Sequence, residues 1–401
     1  MDIAESYVKL VLAVGRHDGD YVDAYYGPSE WKAEADSKVI GLPEIERRAQ
    51  ALVAEAADTS TLDPGRKAYL IGQLRALGAR VQMLLGKRLS FDEEARALYD
   101  VTPPVNTERH FQDIVARLDG TLPGSGPVSE RYVSHRNEFV IPPAKLDGVF
   151  QAAIAAGRER TGRHIPLPPN ENFVVEYVTD KPWSGYNWYQ GAYRSVIQVN
   201  TSLPIYIDRA VDLACHEGYP GHHVYNALLE RTLVRERGWL EFTVYPLFSP
   251  QSLIAEGTAN YGIELALPDA ERNAFEREVL FPLSGLPPTR VDEYYAIQAL
   301  VRQLSYAGNE AARRYLDGEI DAAAATLWLE RYALMAPTAA RQRIRFFDKY
   351  RSYIVNYNLG QDLVRAYVER EAGPDPDRRW KVFADLLASP TLPSALSDRV
   401  A

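Results

Sequence analysis

Helix start signals recur along almost the whole chain, whereas only two stretches read as strands. That imbalance restricts the fold to a mainly α one, a large helical protein carrying one small β-sheet. Asp63-Pro64 sets a capping carboxylate before a proline that the first helical turn tolerates, opening a periodic run to about Leu85. Ser90 and Glu93 form a capping-box pair ahead of Ala95, Leu98 and Tyr99. Apolar residues at helical spacing predict further helices from Thr107 and over 144–160, 291–315 and 338–370. The β-branched stretches 173–178 and 195–199 are the two clear strands. The turn-rich tract 161–170 divides an N-terminal helical lobe, 1–165, from a second lobe, 166–401, the two together forming one compact unit.

Composition narrows the function. The 401 residues carry 45 basic and 54 acidic side chains, a net charge of −9, which argues against a nucleic-acid partner. The single cysteine, Cys215, rules out an internal disulfide and a cysteine-based zinc ribbon. Any metal must therefore be held by histidine and carboxylate. No stretch approaches the ~20 apolar residues of a membrane span. The opening Met-Asp-Ile-Ala-Glu lacks the basic-then-apolar order of a signal peptide, so a cytoplasmic location with no membrane partner is expected.

Chemistry concentrates in Cys215-His216-Glu217-Gly218-Tyr219-Pro220-Gly221-His222-His223, which holds three of the seven histidines. Ser202 and Pro204 look like a cap and first turn, so a helix is expected to run through Ile207 and Val211 into His216. The zinc-peptidase pattern H-E-x-x-H sets two imidazoles four residues apart on one helix face, with the glutamate as general base. Here the second imidazole arrives two or three residues late. On a straight helix His223 would point within ~20° of His216 but lie about 10.5 Å further along the axis. Two nitrogens each ~2.0–2.1 Å from one zinc cannot be that far apart. Pro220 resolves the conflict, because its ring clashes with the carbonyl of His216 and forces a kink or bulge. Two residues looped out return His222 to an effective i+4 position, and three would favour His223. The smaller distortion makes His222 the expected second ligand, with His223 as its alternate.

A catalytic zinc site adds a third protein ligand and keeps one position open. Ser249-Pro250 opens a helix carrying Ser252, Glu256, Asn260 and Glu264 at spacing of four. Glu256 is flanked by Leu253, Ile254 and Ala255, which suits a buried carboxylate ligand better than a solvated one. One Zn2+ per chain on His216, His222 and Glu256 is the expectation, although two imidazoles and a carboxylate also accommodate iron or manganese.

The run His216-Glu217-x-x-Pro220-Gly221-His222-His223, followed by Glu256-Gly257-x-Ala259-x-Tyr261, resembles an uncharacterised bacterial family with the motif H-E-x-x-P-G-H-H and then E-G-W-A-x-Y. That family belongs to the clan of gluzincin-like metallopeptidases. The resemblance implies that His216, one later histidine and Glu256 bind zinc and that Glu217 activates water. This chain has Thr258 where the family usually has tryptophan. A more distant similarity links Tyr353-x-x-x-Tyr357-x-Leu359-Gly360 to the carboxypeptidase Taq family, whose H-E-x-G-H aligns with His216, Glu217, Gly221 and His222 if two residues are inserted. The H-P-F and Q-D-x-H-W motifs of that family are absent. The resemblance covers roughly residues 170 to 370 and implies a helical metallopeptidase-like fold with a deep cleft, in which 166–401 is the catalytic zinc-binding lobe.

These parts make a zinc-dependent peptidase, carboxypeptidase-like and acting on short peptides. A zinc hydrolase of a small non-peptide amide and a non-catalytic helical metal-binding protein are the alternatives. Glu217 would move the proton from water to the leaving amine. No histidine follows His223, so the oxyanion donor should be a phenol, and Tyr353 and Tyr357 match the family-like motif. The strand at 195–199 could pair with an extended substrate, the aromatic run 183–189 could form a wall, and Arg194 could clamp a C-terminal carboxylate.

Overall fold

The computed structural model describes residues 2–181 and 183–397. The chain is mainly helical with little strand, as its punctuation requires. Asp63 caps the helix Pro64–Leu84 through the amide of Arg66, and Ser90 and Glu93 close the reciprocal capping box of Phe91–Tyr99. Longer periodic runs break where the backbone needs a turn. The stretch 291–315 splits into Val291–Arg302 and Ala307–Leu316. The stretch 338–370 splits at Arg351, whose φ of 50° no helix continues through, into Pro337–Tyr350, a 3-10 turn Arg351–Ile354, and Val355–Ala372.

Five strands form two sheets. The strand β1 (Val22–Tyr25) pairs antiparallel with β5 (Val244–Pro246). In the second sheet β4 (Arg194–Asn200) lies between β2 (Asn172–Val178), to which it is parallel, and β3 (Gly185–Gly191), to which it is antiparallel. The aromatic run at 183–189 is thus largely strand, the conformation that rings favour when one face is covered.

The core groups into two apolar clusters, and neither respects a division at residue 165. One unites helices of the first 132 residues mainly with those between 297 and 359. The other unites 139–295 mainly with 364–396. Helix Pro250–Ala266 lies between them, giving Leu253 to the first cluster and Ile254, Ala255 and Tyr261 to the second. A helix apolar nearly all round is a core helix, and this one carries Glu256. It meets Val355–Ala372 backbone to backbone. A Cβ at Gly257 would lie 2.5 Å from the carbonyl carbon and oxygen of Gly360, and one at Gly360 would lie 2.8 Å from the Leu253 oxygen. Glycine is required at both contacts.

Candidate metal centre

The helix entering the site starts later than Ser202 and Pro204 suggest. Residues 201–206 are irregular, bending at 202–203, with Tyr206 bridged to Val140, and the helix spans Ile207–Leu213. It then widens into a π turn over Ala214–Gly218, with the Tyr219 amide donating to the Ala214 carbonyl five residues back. The Tyr219-Pro220 bond is cis, and the Gly221 amide donates to the Cys215 oxygen at 2.9 Å. A Cβ at Gly221 would fall 1.9 Å from the His216 oxygen, so only glycine closes this loop. A new helix, His222–Leu229, begins directly after it.

The loop turns His222 back toward His216. Their Nε2 atoms lie 3.1 Å apart, and Glu256 Oε2 lies 3.2 Å from His216 Nε2 and 3.8 Å from His222 Nε2. The three ligand atoms fit within 4.8 Å of one another. His223 is turned away, buried between Ser195 Oγ and Glu171 Oε2, each 2.9 Å from one of its ring nitrogens. With both nitrogens engaged it cannot serve as the alternate ligand.

The protonation pattern tests whether these three groups suit a cation. Asn260 Nδ2 donates to the Tyr357 carbonyl at 2.9 Å, which aims Asn260 Oδ1 at His216 Nδ1, also 2.9 Å away. An accepting oxygen there puts the proton on Nδ1 and leaves Nε2 bare. The other Glu256 oxygen, Oε1, accepts from the Tyr353 hydroxyl at 2.9 Å, whereas Oε2 is buried without a hydrogen bond. Bare acceptors converging at this distance repel one another, and a cation among them removes the conflict. Without one, a single imidazole must hold a proton. Burial opposes that charge, but a proton shared with the Glu256 carboxylate 3.2 Å away and the field of Glu217 would push His216 up to about 9. Burial and then the charge of His216 push His222 down to about 4. Two imidazoles and one carboxylate with the second nitrogen of His216 anchored make a donor set suited to zinc, iron or manganese.

Glu217 lies beside this centre and is buried, with its Oε1 next to Gly185, where a Cβ would come within 2.9 Å. Burial raises its pKa to about 7, against the lowering field of His216. Asn187 Nδ2 on β3 donates to the Glu217 carbonyl at 2.7 Å and ties the edge strand to the π turn. Tyr353, from the 3-10 turn, is engaged by Glu256. Tyr357 is half-buried, and burial together with the charges of Glu256 and Glu217 holds its phenol protonated.

Arg194 is not part of the site. It is exposed at the turn joining β3 and β4, five residues along β4 from Val199, the partner of Gly185, a distance of about 17 Å. The cation coupled to the site is Arg343, from the helix Pro337–Tyr350. Its guanidinium lies 5.0 Å from the Phe346 ring centroid and interacts with the Tyr357 phenol. No ion pair or hydrogen bond engages it among the described residues. Thr258 does not face the centre either. Its buried hydroxyl bonds back to the Ile254 carbonyl at 2.7 Å, since two residues beyond Glu256 is nearly the opposite helix face.

Asp23, on β1, is a residue that local sequence gives no signal for. The β1–β5 register slips between Val22 and Ala24, and a bulge of this kind re-aims a side chain. Asp23 accepts a hydrogen bond from Tyr186 of β3. Burial, with the charges of Glu256 and Glu217, raises its pKa to about 8.

No family model and no curated protein matches the chain. Solved structures do. A candidate lipoprotein from Colwellia psychrerythraea aligns at TM-score 0.54 and 17% identity, covering 91% of this chain and 70% of its own. A candidate lipoprotein of unknown function from Shewanella oneidensis aligns at TM-score 0.45 and 14% identity, covering 89% and 75%. The likeness to the first shows a shared fold. Among the described residues no helix is long and apolar enough to cross a membrane.

Proposed function

We propose that this chain is a zinc-dependent peptidase that hydrolyses short peptides, with His216, His222 and Glu256 as the metal ligands. The observation that carries the reading is the convergence of His216 Nε2, His222 Nε2 and a buried Glu256 Oε2 that has no hydrogen bond of its own. Bound zinc supplies Lewis-acid polarisation of a carbonyl and a lowered pKa for water. Glu217, next in sequence to the first ligand, takes the proton from water and delivers it to the leaving amine. A structural metal site has no need of that second, buried carboxylate. Tyr357 donates to the carbonyl oxygen as charge develops there, because the Tyr353 hydroxyl is committed to Glu256. The open edge of β3, beside Glu217, offers main-chain groups to an extended substrate. Arg343, which has no ion-pair or hydrogen-bond partner among the described residues and is coupled electrostatically to Tyr357, anchors the C-terminal carboxylate and makes the enzyme carboxypeptidase-like.

The test is metal analysis of protein purified without added metal, joined to mass spectrometry of a mixed peptide digest with wild type and Glu217→Gln. About one zinc per chain in both proteins, with residues lost from peptide C-termini by wild type alone, supports the proposal. Metal-free protein, or equal activity in the variant, overturns it. A cytoplasmic location belongs to the same proposal, and cell fractionation tests it against membrane association.

A further inference from the structure

Asp23 accepts from Tyr186, the neighbour of the Gly185 that lies against Glu217. It is also a wall of a cavity of about 660 Å³ shared with Tyr25, Glu176, Trp188, Gln190 and Gln198, among others. The cavity lies where β1 faces the second sheet, so its walls come from segments more than 140 residues apart in sequence. Two carboxyl groups line it, and its lining holds no lysine, arginine or histidine. The aromatic side is Trp188, 44% exposed, with Tyr186 packed against it at a centroid distance of 4.5 Å and an interplanar angle of 44°. The indole Nε1 donates to Gln198 Oε1 at 3.1 Å and the Gln198 amide donates to Glu176 Oε2 at 2.9 Å, so the ring and the acid are held in one hydrogen-bonded row across three strands. Such a row costs little further side-chain entropy when a ligand binds. A carboxylate beside a fixed indole face suits an organic cation, which gains both charge pairing and the attraction of the ring quadrupole.

We infer that this cavity binds the cationic group of a basic peptide, held between Trp188 and the carboxylate of Glu176, with the Asp23 carboxyl on the opposite wall. Describing the cation as part of a peptide rests on the peptidase reading above. The selection of a cation rests on the cavity alone. An ammonium or guanidinium can come from a lysine or arginine side chain or from the free amino terminus of a short substrate, and both present the same chemistry. Asp23 joins the two regions, because it lines the cavity and accepts from the Tyr186 hydroxyl, and Gly185, the neighbour of Tyr186, lies against Glu217 Oε1. A cation in the cavity therefore belongs to the molecule being cut rather than to a separate ligand. An acidic side chain would meet the Glu176 carboxylate and no compensating charge.

The experiment is calorimetric titration of full-length Glu217→Gln with Ala-Lys-Ala-Ala, its norleucine isostere and its glutamate analogue, each with a free and an acetylated amino terminus. The same six peptides are assayed for cleavage by wild type. Binding of cationic peptides at least about 10-fold tighter than acetyl-norleucine peptide, with that ratio falling below about 3-fold in Glu176→Gln or Trp188→Ala, supports the inference. Preference retained by acetyl-lysine peptide identifies the side chain as the cation, and preference lost on acetylation identifies the amino terminus. Equal or tighter binding of the acetylated norleucine or glutamate peptides overturns it. Glu176 and Trp188 are exposed, so their replacement leaves the core intact. Should Glu217→Gln not fold, the ratio of kcat/KM for the same peptides with wild type reads the same preference. Cation-selective binding with no cleavage of any peptide leaves the cavity inference standing and removes the peptidase reading, so the two fail separately.

Discussion

The Tyr353 hydroxyl donates to Glu256 Oε1 at 2.9 Å, and this decides which oxygen of that carboxylate faces the two imidazoles. Tyr353 lies in a short 3-10 turn anchored from the N-terminal region. The neighbouring Ser352 amide and hydroxyl both bond to Glu94 Oε1, at 3.1 and 2.6 Å, and Arg351 bonds to Glu94 Oε2. The aim of the metal-facing carboxylate thus depends on a helix that contributes nothing to the ligand set.

Tyr353→Phe should therefore act on the metal more than on the chemistry. Loss of a hydrogen bond that orients a ligand typically lowers metal affinity about 10- to 100-fold. Competition against a zinc chelator should show that loss, and excess zinc should restore most of the turnover. Unchanged zinc affinity would remove the positioning role.

Tyr357→Phe should do the opposite. Its phenol makes no hydrogen bond to Glu256, and burial keeps it protonated and able to donate. Removing an oxyanion donor typically costs about 100- to 1,000-fold in turnover with little change in ground-state binding. Steady-state kinetics on the best peptide should show kcat falling far more than KM changes, with zinc content intact. A drop in zinc content matching that of Tyr353→Phe would transfer Tyr357 to the same positioning role.

A different group governs acid stability. Burial works to raise the Glu171 pKa, but hydrogen bonds from His223, Tyr219 and Arg158 outweigh it and hold the carboxyl at about 2, against an ordinary 4.5. A folded-state pKa below the unfolded one gives stability that is complete above about pH 4.5 and lost as pH falls from 4.5 toward 2. With solvent screening on the exposed Arg158 side allowed for, the contribution is on the order of 2 kcal/mol. Denaturant unfolding of wild type and Glu171→Gln from pH 7 to pH 3 should show their stability difference shrinking below pH 4.5. A difference constant with pH would place the cost in packing rather than in charge.

Much of the centre is legible in the sequence because it is local. His216, Glu217 and His222 fall within seven residues, and the clash of Pro220 with the His216 carbonyl makes a bulge necessary on covalent geometry alone. Asn260 shares the helix face of Glu256 one turn on, but its bond to His216 Nδ1 depends on how two separate helices meet and is not legible in that spacing. What local pattern cannot give is the contribution of distant segments. Asp23 reaches the site through a bulge in a four-residue strand whose partner lies more than 200 residues away. Arg194 has the right chemistry on the wrong end of its strand, and only the register of β4 against β3 shows which end meets Glu217. The break at Arg351 is hidden because the residues on both sides keep helical spacing. The turn-rich tract at 161–170 marks the end of a helix without marking a boundary of the core.

The last prediction concerns the glycine contact that brings these helices together. Gly257 follows Glu256 directly, and Gly360 lies three residues beyond Tyr357, so the close approach sets the spacing between ligand and proposed donor at once. A methyl group at Gly257 would be forced to within 2.5 Å of the Gly360 backbone, which has no side-chain rotamer by which to move aside. Overpacking of this kind costs about 1–3 kcal/mol or more when backbone must shift. Gly78, half-buried on Pro64–Leu84, meets nothing within 4 Å and serves as the control. Alanine there should stabilise by about 0.4–1 kcal/mol, since it restricts the unfolded chain in a conformation alanine accepts. Thermal unfolding should show Gly257→Ala and Gly360→Ala melting below wild type and Gly78→Ala at or above it. Zinc affinity should also fall in the first two, because separating the helices draws Tyr353 from Glu256. If Gly257→Ala melts with wild type and keeps its zinc, the contact does not hold the centre together.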